Sequence, residues 1–279
     1  MSQPNDETTK KFGESAPYWE KHRELIRHMF APITKALVRE AGVRAGDTVL
    51  DVATGAGDPA LSVAEIVGPS GKVMGIDPVP RMIEGARRAA ASLVLQNTHF
   101  EVASADALPF PTDTFDAEMC RFGVMFFASP LGGIREMLRV LKPGRKLVFA
   151  VWGFGDNNPF HHTLSRIVER YIAPVPLPPD APDAFRYAPP GKLKGVLVEA
   201  GVAELAEHVL RFSINAPLSV EDYYAMRCEW SDKLRQNLAT LSADQSRAVK
   251  DQMIRAFSEY HTPGGMSFPA EVLIVSGSK

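Results

Sequence analysis

The sequence predicts an α/β protein: a mostly parallel seven-stranded sheet with helices on both faces and a helical cover. Three observations carry this expectation. Short apolar runs alternate with helical stretches between residues 45 and 157, the texture of strand–helix units whose right-handed crossovers leave a parallel sheet. Glycine and proline punctuate the alternation at Gly68-Pro69-Ser70-Gly71 and at Lys142-Pro143-Gly144. Two later strand-like runs, 204–214 and 268–276, follow long helical insertions and complete the sheet.

Taken in order, residues 1–15 carry Pro, Asn, Asp and Thr without periodicity and read as a frayed tail. From 18 to 40, Trp19, Leu25, Ile26, Met29, Ile33, Ala36 and Leu37 recur at helical spacing, so 1–44 is an N-terminal helical segment. After the turn Ala45-Gly46-Asp47, strands are expected at 48–53, 72–77, 98–103, 115–121 and 146–152, with helices at 59–67, 81–92 and 132–141, forming a core over 45–157. Beyond it, 157–172 reads as a helix and 173–190 is rich in proline, so 158–190 forms a first insertion over the sheet. A helix at 192–200 closed by Gly201 and the strand at 204–214 return to the core within 191–215. Residues 220–260 hold two or more helices, making 216–264 a second insertion, and 265–279 brings the last strand back to the sheet.

At 279 residues, with 45% apolar and 23% charged side chains, the chain has the balance of an ordinary globular protein. A formal net charge of -2 supplies no positive field to gather nucleic acid or an anionic membrane, so no nucleic-acid partner is expected. The two cysteines, Cys120 and Cys228, form no Cys-x-x-Cys pair and no zinc-type set, which fits a reducing compartment and no metal. Residues 1–10 are polar, unlike a signal peptide, and no apolar run approaches the roughly 18 residues of a membrane span. A cytoplasmic monomer or homodimer is expected.

The chemistry-bearing residues begin at Val49-Leu50-Asp51-Val52-Ala53-Thr54-Gly55-Ala56-Gly57-Asp58-Pro59-Ala60, a buried strand running through a tight turn into a helix. Gly55 and Gly57 let the backbone turn sharply and approach a ligand. Residues 55–60 match G-x-G-x-x-A, and Asp77 lies 20 residues after Gly57, where a dinucleotide-binding protein places its ribose acid. The helix entrance disfavours that reading. With Asp58 at the expected N-cap and Pro59 at the first helical position, a carboxylate occupies the N–H groups a pyrophosphate needs. S-adenosylmethionine carries no phosphate and bears a sulfonium cation, which tolerates Asp58 and Asp51 nearby.

The segments 49–60, Val73-Met74-Gly75-Ile76-Asp77 and Ala105-Asp106-Ala107-Leu108-Pro109-Phe110 through Asp116, with Leu141-Lys142-Pro143-Gly144 before the fifth strand, together resemble the class I S-adenosylmethionine-dependent methyltransferases, particularly the UbiE/COQ5-like (methyltransferase type 11) group. The resemblance covers about residues 45–155. It implies a Rossmann-like fold, S-adenosylmethionine as cofactor with S-adenosylhomocysteine as product, and a small hydrophobic or aromatic methyl acceptor such as a quinone precursor, polyketide or other secondary metabolite. Asp51, Ala53, Gly55 and Gly57 would line the methionine part. Asp77 would accept from both ribose hydroxyls, and Pro78 and Met82 would lie near the adenine. Asp106 would accept from the exocyclic amine, and the Ala107 N–H would point at a ring nitrogen. Arg121 and Phe122 would border the transferring methyl group. The family usually carries Gly where Ala53 and Asp58 stand here.

Methyl transfer from a sulfonium is an in-line displacement, so positioning and desolvation supply much of the acceleration and no nucleophilic triad is required. A hydroxyl, amine or acidic-carbon acceptor benefits from a general base, for which His161 and His162, at the start of the first covering helix, are the candidates; the plain alternative is a solvent-facing pair. Phe12, Tyr18 and Trp19 can fold over the site, Trp152 and Phe154 can wall it, and Tyr223, Tyr224, Met226 and Trp230 point to an apolar pocket in the cover; core packing is the alternative for each. Cys120 reads as an inert buried thiol and Asp116 as a turn or cap residue. Other readings are a non-methylating enzyme on the same cofactor, a non-catalytic regulator that binds it, an RNA methyltransferase and an NAD-dependent enzyme.

Overall fold

The computed structural model describes residues 6–173, 176, 178 and 180–279. Two helices, α1 (Asp6–Lys21) and α2 (Arg23–Ala41), precede the alternating core of β1 (Thr48–Val52), α3 (Ala60–Val67), β2 (Lys72–Asp77), α4 (Pro80–Ser92), β3 (Thr98–Val102), β4 (Phe115–Arg121), α5 (Pro130–Val140) and β5 (Leu141–Trp152). The chain continues through α6 (Pro159–Glu169), α7 (Lys192–Ala200), β6 (Ala203–Ala216), α8 (Val220–Trp230), α9 (Asp232–Ala239), α10 (Ala243–Ser258), β7 (His261–Thr262) and β8 (Gly265–Ser278).

The sheet runs β3-β2-β1-β4-β5-β8-β6, with the two-residue β7 paired to β8 off that path. The first five strands are parallel, and β8 lies antiparallel between β5 and β6. This is the expected seven-stranded sheet plus one short strand. Covered on both faces, β1, β4 and β5 are almost continuously apolar, with Val49, Leu50, Leu147, Val148, Phe149 and Ala150 at 0% exposure. Strand order reverses beside β1, so the carboxyl ends of β1 and β4 open onto the crevice where such sheets take ligands.

Several boundaries differ from expectation for identifiable reasons. The tail proves helical from Asp6, because Phe12, Ala16 and Trp19 lie on one face and pack with Ala56, Val79 and Met82. β5 begins at Leu141 rather than 146: Leu141 pairs with Phe115 and Lys146 with Ala117, leaving the Lys142-Pro143-Gly144 turn looped out between them. In 216–264 three serines set the breaks, the side chains of Ser219, Ser231 and Ser242 accepting the N–H groups of Asp222, Leu234 and Gln245 at the starts of α8, α9 and α10. Gly201, in the left-handed region, closes α7.

Candidate functional site

One cavity of about 690 Å³ opens above the carboxyl ends of β1, β2 and β4 and runs beneath α1, α6, α8 and α9. Its floor is the turn after β1, where Ala53 takes φ 60° and Gly55 φ 55°. Ala53, Thr54, Gly55, Ala56 and Asp58 all face the cavity. Gly57 does not: a Cβ there would sit 3.0 Å from Leu61 and 3.2 Å from Ala86, so this glycine lets the turn lie against α3 and α4 rather than against a ligand.

Asp51 and Asp58 exchange the expected roles. Asp51 turns inward, fully buried, and its Oδ2 accepts from the Thr54 hydroxyl at 2.6 Å and from the Ala60 N–H at 3.0 Å, capping α3 from beneath. It does not reach the cavity, and burial raises its carboxyl to about 7 against the lowering pull of Thr54 and Arg121. Asp58, displaced from the cap, forms a buried ion pair with Arg121 (Nη1 to Oδ2, 2.6 Å) and accepts from the Ser62 hydroxyl. The first helical N–H groups are thereby spent, Ala60 on Asp51 and Leu61 on the Gly57 carbonyl, so no pyrophosphate cradle remains.

Asp77 ends β2 at the cavity wall. Its Oδ1 accepts from the Val79 N–H at 2.9 Å and its Oδ2 from the Gly55 N–H at 3.0 Å, which fixes the carboxylate and leaves a second lone pair on each oxygen for vicinal donors. Pro78, Val79 and Met82 adjoin it on the cavity surface, and Asp106 lies across from them, held by the Ser104 hydroxyl at 2.5 Å. Ala107 is not part of the lining: its N–H donates to the Ser104 carbonyl, closing a turn, and is not available to a ligand. This acceptor set, two anchored carboxylates on the cavity surface, suits hydroxyls, an amine and a cation, which is the chemistry of S-adenosylmethionine.

The far half of the cavity is aromatic. Phe122 stacks on Trp152 (4.3 Å, 7° between planes), Phe30 meets both edge-on, and Trp19 of α1 packs edge-on against Trp230 of α8 at 4.7 Å. Phe122 holds φ 64°, and Gly123 follows because a Cβ there would strike the Ala53 Cβ. Arg121 borders this half, pinned by Asp58 and donating to the Thr34 hydroxyl at 2.9 Å.

The two histidines part. His161 lines the cavity against Trp152, and His162 turns away to lie 3.3 Å from the exposed Asp156. Burial, and then the adjacent Arg227, hold the His161 imidazole well below its ordinary range, so it is neutral. Arg227 Nη2 approaches His161 Nδ1 at 3.4 Å; because guanidinium only donates, this contact favours the tautomer with the ring proton on Nε2. Tyr223 and Tyr18 are not in the lining. Tyr223 is core, its hydroxyl donating to the Phe160 carbonyl, and Tyr18 packs under the Arg235 guanidinium. Phe154 is 49% exposed, Cys120 is buried with its thiol pushed up to about 12 by burial, and Asp116 pairs with Lys142 and Arg145. Arg227 and Phe30 are among the lining residues that sequence reasoning missed; Arg227 stands between the noted Met226 and Trp230 and signals only as a charge among apolar neighbours.

Solved structures share this architecture. YcgJ from Bacillus subtilis is 20% identical with a TM-score of 0.57, covering 91% of this chain and 98% of that one. A protein from an antibiotic biosynthesis pathway of Anabaena variabilis ATCC 29413 reaches a TM-score of 0.63 at 13% identity, over 89% and 97%. These likenesses show the fold, that of the class I S-adenosylmethionine-dependent methyltransferases. Sequence relatives narrow it. The model of the ubiE/COQ5 methyltransferase family matches residues 26–163. Over 190 residues the chain is 33% identical to the ubiquinone/menaquinone biosynthesis C-methyltransferase UbiE of Pseudomonas putida (strain GB-1), covering 63% of this chain and 73% of that protein. It is 35% identical over 135 residues to UbiE of Marinomonas sp. (strain MWYL1), where it spans about half of the relative's length, 52%, and 48% of its own. The chain belongs to the ubiE/COQ5 methyltransferase family. No helix among the described residues is long and apolar enough to cross a membrane.

Proposed function

We propose that this enzyme methylates a carbon of a flat, hydroxylated aromatic acceptor of the quinone-precursor kind. The observation that carries the reading is the continuity of one cavity, polar and carboxylate-lined at the β2 end and aromatic under α6 and α8. The named activity of the UbiE relatives, C-methylation in ubiquinone and menaquinone biosynthesis, agrees with an aromatic ring as the acceptor. In this reading the segments 158–190 and 216–264 are the acceptor's cover.

The cofactor, when bound, supplies an electrophilic methyl group on a sulfonium. Asp77 would accept from the ribose hydroxyls with the lone pairs that Val79 and Gly55 leave open, and Asp106 would accept from the adenine amine. Pro78, Val79 and Met82, which line the cavity beside Asp77, would flank the adenine, and Ala53 to Ala56 would follow the amino-acid part. Asp58 and Arg121, neutralised by each other, close the floor beside the methyl group without presenting a net charge to it. The Phe122–Trp152 stack and Phe30 hold the acceptor ring and exclude water, and orientation of this kind provides most of the acceleration for an in-line displacement. No metal is assigned a role.

The test is turnover with methyl-deuterated S-adenosylmethionine and 1,4-dihydroxynaphthalene under reducing conditions, read by mass spectrometry and NMR. A product with the label on a ring carbon, formed one for one with S-adenosylhomocysteine, is expected. Label on oxygen alone, or turnover only with non-aromatic acceptors, overturns the reading.

A further inference from the structure

Arg227 is the residue the described mechanism leaves unused. It is 5% exposed, lines the aromatic half of the cavity, and its Nε finds no hydrogen-bond partner. No carboxylate among the described residues pairs with it, in contrast to Arg121, which has Asp58. Its neighbours are the faces of Phe160 at 4.6 Å and Trp230 at 5.4 Å, and the neutral His161 at 3.4 Å. Aromatic faces compensate part of the desolvation of a guanidinium, but a buried cation without a counter-charge remains costly. That cost is removed when a ligand brings the negative charge. His161, in the tautomer with its proton on Nε2, adds a second donor on the same wall.

We infer that Arg227, with His161 beside it, is an oxyanion receptor that selects acceptors carrying an acidic oxygen, a phenolate, enolate or carboxylate, and holds that oxygen ionised during methyl transfer. This rests on the aromatic half of the cavity being the acceptor's site. The guanidinium favours the ionised form of a phenol by charge and by hydrogen bonding, which raises electron density on the ring carbons next to the oxygen. The phenol proton is left to water on binding; the ring carbon's electron pair then forms the new carbon–methyl bond while the carbon–sulfur bond breaks toward sulfur, and the methylated carbon afterwards gives its own proton to water, which restores the aromatic ring. Arg227 makes no bond to the reacting atoms and acts as a specificity-determining residue.

The experiment uses full-length protein saturated with S-adenosylhomocysteine and three probes of one shape: 4-nitro-1-naphthol, its methyl ether, and 4-nitro-1-naphthoate. The wild type is expected to bind the naphthol or the naphthoate at least about tenfold more tightly than the neutral ether, the ratio a charge-assisted hydrogen bond provides. The yellow naphtholate absorbance is expected at a lower pH on the protein than in free solution. Tighter binding of the naphthol identifies a phenolic oxygen, and tighter binding of the naphthoate a carboxylate; either supports the receptor. Arg227→Met should abolish the preference and the absorbance shift with S-adenosylhomocysteine affinity unchanged, which reports that the variant is folded, and Arg227→Lys should restore part of both. Equal binding of all three probes to the wild type, or a preference that survives Arg227→Met, overturns the inference. Failure of the methyl-transfer reading would show separately, as absent S-adenosylhomocysteine binding or absent methylated product while the anion preference persists.

Discussion

Burial lifts the Asp77 carboxyl to about 6, although the Val79 and Gly55 N–H groups pull it the other way. Only the ionised form offers the acceptor set the ribose hydroxyls require, so affinity for S-adenosylhomocysteine should fall as pH drops through about 6, with Asp77→Asn showing weak binding and no step; calorimetry across that range decides it. Stability responds in the opposite sense. Asp51, at about 7, and Asp77, at about 6, both bind their protons more tightly folded than unfolded. Their contribution is fully present below the ordinary carboxylate range and is lost progressively from there up through 6 and 7, so the Tm of the ligand-free protein should decline over that span and level off above it. Asp58→Asn strips the buried Arg121 of its counter-charge and should cost about 3–5 kcal/mol in urea unfolding. The cavity position of Asp77 was legible from its place at a strand end 20 residues after Gly57, whereas Asp106, four residues beyond β3, was pointed to only by the family resemblance. The exchange between Asp51 and Asp58 was not, since which carboxylate caps α3 depends on Arg121, 63 residues from Asp58 in sequence and brought to it only by the β1–β4 pairing.

Helix α1 shows what an element adds. Its buried face, Phe12, Ala16 and Trp19, spans a region whose polar composition suggests a tail, and the periodicity emerges only when Trp19 is counted with residues before Pro17. Trp19 joins α1 to α8 through Trp230, so Trp19→Ala should raise the KM values for cofactor and acceptor together and lower stability by about 3 kcal/mol, checked by steady-state kinetics and thermal unfolding. Unchanged KM values would show that α1 does not close the cavity. In β4 the burden is electrostatic. Glu118 is fully buried with neither side-chain oxygen partnered, and burial pushes its carboxyl well above the ordinary range. Its contribution is therefore present at low pH and lost as pH rises through that elevated value, and Glu118→Gln should raise stability in alkaline solution while leaving it nearly unchanged in acid. The strand itself was readable from its apolar run; the unpaired acid inside it gave no local sign.

At the scale of the molecule, the parallel half of the sheet was legible because each strand–turn–helix unit repeats the same pattern and crossover handedness leaves one arrangement. The later strands, β6 and β8, were placed correctly as elements, but the cover they bracket was read as helices of unspecified aim. Amphipathic periodicity reveals which side of a helix is apolar, not which neighbour receives it, so Arg227 among Tyr223, Met226 and Trp230 could be core or cavity until the fold brought it onto Phe160 and His161 of α6. In the proposed reading one cavity divides labour: anchored carboxylates beyond β2 and β3 serve the cofactor, and Phe122 and Trp152 at the ends of β4 and β5, with Phe30 and Trp230 from the helices, form an aromatic chamber for the acceptor. Calorimetric titration with S-adenosylhomocysteine and separately with NADH, on the wild type and on Asp77→Ala, tests this most directly. The wild type should bind S-adenosylhomocysteine, Asp77→Ala should bind it about tenfold or more weakly, and neither should bind NADH; preference for NADH, or S-adenosylhomocysteine binding indifferent to Asp77, would contradict this division.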